Sequence, residues 1–304
     1  MRRALVPAAC AAVIVLAVSA CGGSGESKAI TADGSSTVAP FTTFAAERFS
    51  SQDSSAHVTV GISGTGGGFE RFCAGDTDLS DASRQIEDDE AKACSKAGVE
   101  YAEIAVANDA LTVVVSNEND WVTCLTVDQL KTIWAPGSTV SSWHDVDPSY
   151  PDVPLRLYGP GTDSGTFDYF TKAIVGEEGS SRADYQASED DNVIVEGVAG
   201  DKGALGYFGF SYFEQNQDRL KAVEIDSGNG CVAPSVETAQ TGTYAPLSRP
   251  LFVYARTASL GRPEVEAFVR YMLDHAAAIA EQAKFVPLTE SQLASAQAAL
   301  NEAS

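Results

Sequence analysis

The chain has 304 residues, of which 44% are hydrophobic and 20% are charged, a composition typical of a globular protein long enough for two domains. Its formal net charge at pH 7 is −22, and because nucleic-acid binding depends on a basic surface, this charge argues against nucleic acid as a partner. A small buried anion is not excluded, since exposed charges are screened over about 8 Å at physiological salt.

Residues 1–20 predict a secretory signal peptide. Two arginines precede an apolar run over residues 11–18, which is too short for a membrane-spanning helix, and small residues follow. The sequence VSAC, followed by GGSG, resembles a bacterial lipobox, which implies cleavage before Cys21, lipid on its sulfur and a flexible tether over residues 21–29. We therefore expect an extracytoplasmic protein held on the outer face of the cell membrane by this lipid. The alternative is an ordinary signal peptide with an incidental cysteine.

After the tether, strand-like and helix-like segments alternate along the chain. Period-2 or short apolar runs predict strands in AITADG, HVTVGIS, TDLSDASR, YAEIAVANDALTVVVS (two stretches), LRLYG and PLFVYAR. Helical spacing predicts helices in VAPFTTFAAERFS, FERFCAG, CLTVDQLKTIW, FDYFTKAIV and PEVEAFVRYMLDHAAAIAEQAK. The segment VIVEGVAGDKGALGYFGFSYF is expected to mix strand and glycine-rich turn, and QLASAQAALNEAS to form a weak helix or a frayed tail. This alternation predicts an α/β fold.

Three stretches of small residues occupy the same place, after a strand and before a helix. They are ADGSSTVAP at 32–40, GISGTGGGF at 61–69 and YGPGTDSGTF at 158–167. The start of a helix leaves backbone N–H groups without partners and carries a partial positive charge, and glycine lets a ligand approach the backbone. Several such helix starts that converge predict an anion-binding site. The alternative for each stretch is an ordinary turn followed by a helix cap.

Cysteine usage agrees with export. Besides Cys10 in the signal peptide and Cys21, the chain has Cys73, Cys94, Cys124 and Cys231. An even number in an exported protein indicates disulfides, and three pairings are open. We favour Cys73–Cys94, which closes a short loop, and Cys124–Cys231, which joins distant segments; the alternative is four separate thiols. Since no C-x-x-C occurs and histidines are few, no metal site is expected.

Long motifs resemble one family. DGSSTVAPF, GISGTGGGFERFCAGDTDLSDASRQI, YGPGTDSGTFDYF and GVAGDKGALGYFGFSYF together resemble the PstS-type phosphate-binding lipoproteins of bacterial phosphate ABC transporters, in order over roughly residues 30–290. The resemblance implies a two-lobed, periplasmic-binding-protein-like (type II) clamshell whose chain crosses between the lobes near 107–112 and 245–253. Lobe 1 is then 30–108 plus 250–304, and lobe 2 is 109–249. It also implies that the cleft binds inorganic phosphate for delivery to the permease subunits, without a cofactor and without enzymatic activity.

The resemblance implies a set of phosphate-binding residues. Position by position, the hydroxyl and backbone N–H positions of the family fall on Ser36, Thr37, Thr65, Ser164, Gly165 and Thr166. Two positions depart from the enteric form: Ser83 replaces an aspartate, and no arginine precedes the Ser-Gly-Thr cluster. We expect Arg84 to supply the missing cation from the other lobe, because arginine can hold a phosphate oxygen with two hydrogen bonds. The alternative is that Arg84 pairs with a surface carboxylate such as Asp81.

Selection of phosphate over sulfate requires a hydrogen-bond acceptor, since phosphate carries a proton near neutral pH and sulfate does not. Ser83, Asp33, Asp81 and Asp163 are the candidates, and we favour Asp163 because it lies within the GPGTDSGT cluster. The alternative is that Asp163 caps the helix or orients Arg84.

Other functions remain to be compared with phosphate capture. A different tetrahedral oxyanion (sulfate, arsenate, molybdate or tungstate) is compatible with the turn chemistry. A serine hydrolase is disfavoured because Thr162 breaks the G-x-S-x-G pattern at Ser164, and His57, His144 and His275 stand in no catalytic setting. A nucleotide-binding P-loop is disfavoured because GTGGGF lacks the lysine that would reach the phosphates. A structural role is disfavoured because the sequence shows no internal repeats.

Overall fold

The computed structural model describes residues 29–52, 57–162 and 164–304. The predicted signal peptide, the predicted lipid attachment at Cys21 and the side chain of Asp163 lie outside these residues. Within the described part of the chain, we find no helix with the length and apolar character needed to cross a membrane.

The strands of the described residues are β1 (Ala29–Gly34), β2 (His57–Val60), β3 (Leu79–Ala82), β4 (Tyr101–Ser116), β5 (Cys124–Thr126), β6 (Arg156–Pro160), β7 (Gln186–Ser188), β8 (Ala204–Gly209), β9 (Leu220–Ala222), β10 (Glu224–Asp226), β11 (Cys231–Val232) and β12 (Ser248–Arg256).

The helices are α1 (Ala39–Gln52), α2 (Gly64–Ala74), α3 (Asp88–Ala97), α4 (Val127–Trp134), α5 (Trp143–Val146), α6 (Gly165–Phe170), α7 (Asp191–Ala199), α8 (Phe210–Gln215), α9 (Val236–Gln240), α10 (Thr257–Leu260), α11 (Pro263–Asp274), α12 (Ala276–Gln282) and α13 (Glu290–Ala303). Helix α6 continues directly into a π-helical segment, Thr171–Val175. Strands and helices alternate as expected, so the α/β prediction is confirmed.

One long sheet runs through the molecule in the strand order β2-β1-β3-β12-β4-β8-β6-β7, with β9 also paired to β4. The sheet is mixed: β1 pairs in parallel with β2 and β3, while β12 lies antiparallel between β3 and β4. The first part of β4 pairs with β12, and its second part, from Leu111 to Val115, pairs with β8. Strand β4 therefore connects the two halves of the sheet.

Two hydrophobic cores lie on either side of this connection. The larger core of lobe 1 is built from residues between Ile30 and Ala107 together with residues between Leu251 and Leu300. The larger core of lobe 2 draws only on residues between Leu111 and Leu247. A small cluster of Ala110, Phe210, Ala239 and Val286 packs where the two sets meet.

The structure forms the disulfides Cys73–Cys94 and Cys124–Cys231, the pairing favoured from the sequence. The first joins α2 to α3, and the second joins β5 to β11 in a small separate sheet. Each disulfide thus lies within one lobe.

Three segments differ from the sequence-based expectation. The start of VIVEGVAGD is helical, because the Asp190 side chain accepts a hydrogen bond from Asn192 N and caps α7. YAEIAVANDALTVVVS is a single strand, since its partners change from β12 to β8 without a break. The long helix expected over residues 263–284 is interrupted at His275, between α11 and α12.

Candidate anion-binding site

A cleft of about 820 Å³ lies between the starts of α1 and α2 on one side and α6 on the other. These helices follow β1, β2 and β6, and because β6 runs antiparallel to β1 in the common sheet, the carboxyl ends of these strands point towards each other from the two lobes. Ligand sites in open α/β sheets commonly lie outside the carboxyl ends of the strands.

The first wall of the cleft is the loop between β1 and α1. Ser35 N donates to the backbone oxygen of Asp81 at 2.9 Å, which attaches the loop to β3. No hydrogen bond to a described residue is found for the backbone N–H groups of Ser36, Thr37 and Val38. These groups, with the hydroxyls of Ser36 and Thr37 in the cleft, are available to an anion.

The second wall is the start of α2. Its N-cap residue, Ser63, accepts no capping hydrogen bond, and its hydroxyl donates to the Asp33 carboxylate at 2.8 Å. The first turn of α2 is therefore left uncapped where it faces the cleft. Beside it, the hydroxyls of Thr65 and Ser83 lie 3.1 Å apart, and Ser83 N donates to Thr65 Oγ1 at 3.3 Å.

The third wall is the start of α6 in lobe 2. Gly165 lies against the loop of lobe 1, so closely that a Cβ at this position would be 2.6 Å from Thr37 Oγ1. The Ser164 hydroxyl caps the helix by accepting from Thr166 N at 3.2 Å. Ser164 and Thr166 are thus bonded to each other, and Gly165 is the member of the Ser-Gly-Thr cluster that lines the cleft.

Arg249 of β12 provides a cation that the sequence did not point to. Its Nη2 donates to Thr37 Oγ1 at 3.1 Å, and its Nε and Nη2 each lie 3.4 Å from one oxygen of Asp109 on β4. Its guanidinium lies over the Tyr169 ring at 3.6 Å from the centroid. The side chain is only 17% exposed, so its charge is poorly screened.

Arg249 lines the cleft and keeps one nitrogen that no described residue uses. No hydrogen bond to a described residue is found for its Nη1, while its other donors are held by Thr37 and Asp109. The Tyr169 hydroxyl is itself fixed by donation to the Pro246 carbonyl at 2.7 Å. Arg249 is therefore positioned by both connecting strands and by both lobes before any ligand binds.

Arg84, the cation expected from the sequence, also lines the cleft but is already paired. Its Nη1 and Nη2 donate to the two carboxylate oxygens of Glu90, each at 2.8 Å, and its Nε lies 3.4 Å from Glu87. The hydrogen bond to Glu90 raises the pKa of Arg84 above its usual value. The surface carboxylates paired with Arg84 are thus those of α3 and its cap rather than Asp81.

The candidate acceptors are distributed unequally. Asp33 and Asp81 are buried behind the cleft wall, and Ser83 lines the cleft. Asp168, which was not considered from the sequence, also lines the cleft, and its carboxylate makes no hydrogen bond or ion pair with a described residue. Burial, with Glu178 nearby, raises the pKa of Asp168, while Arg249 opposes the rise.

The described residues offer one group of three side chains with the spacing of metal ligands, Cys124, Glu224 and Cys231. Both thiols of that group are used in the disulfide. The cleft itself combines unpaired N–H groups, hydroxyls and arginine, which is the chemistry of an oxyanion site.

A family model described as the PBP superfamily domain matches residues 20–276. Among curated relatives, protein SphX of Synechocystis sp. is 46% identical over 95% of this chain and 86% of its own length. The phosphate-binding protein PstS of Staphylococcus saprophyticus is 37% identical over 94% of this chain and 91% of its own length.

Solved structures agree with these sequence matches. The structure of a possible phosphate-binding protein from Planctomyces limnophilus has a TM-score of 0.87 and 44% identity, covering 90% of this chain and 98% of that one. An ABC-type phosphate transport receptor from Vibrio cholerae has a TM-score of 0.68 at 21% identity, covering 84% and 99% of the two chains, and supports the fold alone.

Proposed function

This chain belongs to the PBP superfamily and, within it, to the PstS-type phosphate-binding proteins, and on that premise we propose that its cleft captures inorganic phosphate outside the cytoplasm. The captured phosphate is delivered to the permease subunits of a phosphate ABC transporter. The observation that carries the proposal is the convergence on one cleft of uncapped helix starts from lobe 1, Gly165 from lobe 2 and the prepositioned Arg249.

Phosphate oxygens are held mainly by neutral donors. On the lobe 1 side these are the unpaired N–H groups at residues 36–38 and the first turn of α2, with the hydroxyls of Ser36, Thr37, Thr65 and Ser83. On the lobe 2 side Gly165, at the start of α6, lines the cleft, while direct contacts from Ser164 and Thr166 stay a prediction. Helix starts can stabilise an anion in this way without a matching number of cationic side chains.

Arg249 is the main cation of the proposed site. It is largely buried, and its Nη1 has no partner among the described residues, so a phosphate oxygen can accept from it without breaking an existing bond. Arg84 would have to leave a two-point hydrogen-bonded pair with Glu90 to do the same. We therefore give Arg84 a secondary role at the rim, while its direct contact with phosphate stays a prediction.

Asp168 is our candidate for the group that recognises the phosphate proton. An unpaired carboxylate in an anion cleft repels any ligand that lacks a proton, whereas a protonated phosphate can donate a hydrogen bond to it. Asp168 fits this role because it lines the cleft near Arg249 and has no other polar partner among the described residues. The earlier candidate, Asp163, lies outside the described residues and stays a prediction.

In this proposal the protein is a receptor without catalytic activity, attached to the outer face of the cell membrane by lipid on Cys21. None of its three histidines lines the cleft, and the Ser164 hydroxyl is engaged in capping α6. Hinge closure around the anion would present the loaded form to the permease, as in other two-lobed binding proteins.

Calorimetric titration of the mature chain, stripped of anion and measured in excess sulfate at neutral pH, tests the function and the site together. We expect phosphate to bind the wild type tightly, Arg249→Gln to weaken binding by about 100-fold because a charge-assisted, buried contact is lost, and Arg84→Ala to weaken it by less than about tenfold. Arg219→Ala is the matched control, since Arg219 makes an exposed two-point pair with Glu196.

The outcomes separate the function from the site. If phosphate does not bind the wild type, or sulfate competes equally, the proposed function is wrong. If phosphate binds but Arg84→Ala has the larger effect, the function stands and Arg84 rather than Arg249 is the main cation.

A further inference from the structure

A buried carboxyl group lies directly behind the lobe 1 wall of the cleft. Asp81 is in β3, two residues before Ser83, which lines the cleft. The backbone oxygen of Asp81 accepts the hydrogen bond from Ser35 N that attaches the β1–α1 loop. Asp81 is therefore joined through the backbone to two parts of the anion site.

The side chain of Asp81 has few partners. It is 0% exposed, and one carboxylate oxygen accepts from the hydroxyl of Thr42, which is also fully buried, at 2.7 Å. The other oxygen has no hydrogen-bond partner among the described residues. A buried carboxylate with one hydrogen bond is poorly stabilised in its ionised form.

Among the described residues, no cation pairs directly with Asp81. Strand β1 contributes Asp33, a second buried carboxylate, which is itself paired with Arg71 of α2 and bonded to Ser63. Helix α1 contributes Thr42, and β12 places the apolar Val253 opposite Asp81. Burial, with Asp33 adding to it and Thr42 opposing it, raises the pKa of Asp81 to about 7.

We propose that Asp81 is a proton-binding site coupled to the anion site, so that phosphate in the cleft and a proton on Asp81 stabilise each other. This rests on the proposed function of the cleft. Asp81 and the bound anion lie on either side of one loop and at the start of the same helix, α1, where Thr42 is near the first turn. The partial positive charge of that helix start attracts both the bound anion and an ionised Asp81, but these two negative charges repel each other.

The direction of the coupling follows from reciprocity. An anion in the cleft raises the proton affinity of Asp81, so phosphate binding takes up protons near neutral pH, and deprotonation of Asp81 weakens phosphate binding by the same factor. Below the pKa of the free protein, Asp81 is already protonated and binding is strongest. As the pH rises above about 7, Asp81 ionises in the free protein and the affinity falls.

Calorimetry in buffers with different enthalpies of ionisation counts the protons taken up per phosphate bound. Phosphate itself titrates in this range, but its own contribution is common to all variants, so the difference between the wild type and Asp81→Asn isolates Asp81. We expect the wild type to take up about half a proton more than Asp81→Asn near pH 7.5, and its affinity relative to the variant to fall about tenfold between pH 6 and 8.5.

Two further variants complete the test. Glu214→Gln is the matched control, because burial raises the pKa of Glu214 too, but this residue lies on α8, away from the cleft. It should leave the proton count unchanged. Thr42→Val removes the hydrogen bond that favours ionised Asp81 and should move the maximum of proton uptake to higher pH, which keeps the proposal testable if Asp81→Asn does not fold.

Equal proton counts in the wild type and Asp81→Asn would overturn the proposal, as would an unchanged profile in Thr42→Val. Either result, obtained with a wild type that binds phosphate, leaves the proposed function standing. A wild type that binds no phosphate would instead remove the proposed function on which the coupling rests.

Discussion

At the scale of single residues, the hydrogen-bond and ion-pair partners of a charged side chain determine whether it is available to bind a ligand. Arg84 and Arg249 both line the cleft, but Arg84 is held by Glu90 at two points, whereas Arg249 keeps Nη1 without a described partner. Asp168 is the acidic counterpart, a carboxylate with no hydrogen bond or ion pair to a described residue, in a cleft suited to anions. A carboxylate at this position suits a ligand that carries a proton, because the ligand can donate a hydrogen bond to it.

Asp168→Asn tests that reasoning. The amide keeps the size of the side chain but can donate as well as accept, so we expect sulfate to gain affinity by about tenfold or more relative to phosphate. Competition calorimetry with sulfate measures the ratio. Glu178→Gln is the control, because Glu178 is a second carboxylate that lines the cleft and neighbours Asp168. An unchanged ratio in Asp168→Asn, or an equal change in both variants, would reject Asp168 as the selective group.

At the scale of secondary-structure elements, the site depends on how helices start. The Ser63 side chain accepts no capping hydrogen bond from helix α2 and donates to Asp33, so the first N–H groups of α2 stay available. Helix α6 begins with glycine where it meets lobe 1, and a side chain at that position would collide with Thr37. The close approach of the two lobes therefore depends on the absence of one Cβ.

Gly165→Ala should lower phosphate affinity by about tenfold or more while leaving the thermal stability close to that of the wild type. The new Cβ would lie 2.6 Å from Thr37 Oγ1 and keep α6 away from the loop, whereas alanine is itself favourable in a helix. Titration and thermal unfolding give the two quantities. Gly209→Ala is the control, because a Cβ there would meet no atom within 4 Å. Wild-type affinity in Gly165→Ala would show that this contact is not needed.

At the scale of the whole molecule, two strands connect the lobes and also carry the site. Asp109 of β4 and Arg249 of β12 are paired in register where these strands pass between the lobes. Arg249 contacts Thr37 of lobe 1 and lies over Tyr169 of lobe 2. An anion bound to Arg249 is thereby linked to the segment about which the lobes would move.

Removing each disulfide in turn should affect stability and phosphate binding to different degrees. Cys124–Cys231 spans 107 residues within lobe 2 and lies away from the cleft, so replacing both cysteines by serine should lower the free energy of unfolding by about 2–4 kcal/mol with little change in phosphate affinity. Denaturant unfolding and titration measure both effects.

The matched comparison is the variant in which Cys73 and Cys94 are both replaced by serine. The disulfide between them spans 21 residues and attaches α2, and the start of α2 lines the cleft. The shorter loop predicts a smaller loss of stability, and the attachment of α2 predicts a larger loss of affinity. The reverse pattern would contradict this division of roles.

Local features of the chain were readable from the sequence because they depend on neighbours in the chain. Alternating strand and helix patterns indicated the α/β fold, and the three small-residue turns indicated where helix starts would face a ligand. The helix expected in CLTVDQLKTIW forms as α4, where the Thr126 side chain accepts from Gln129 N and caps the helix start. The helix α7 was missed because its valines and glycines favour strands and turns, and the Asp190 cap decided otherwise.

The contacts between distant segments were decided only by the tertiary structure. Arg249 is more than 200 residues away from Thr37 in the chain, and nothing in its local sequence shows that β12 places it in the cleft. Glu90 follows Arg84 by six residues, but its two-point pairing with Arg84 depends on how α3 packs. The sequence by itself determined the type of ligand site, because helix starts and small donors are local. Which cation and which carboxylate complete it depended on strand register and packing, because these bring together residues that are far apart in the chain.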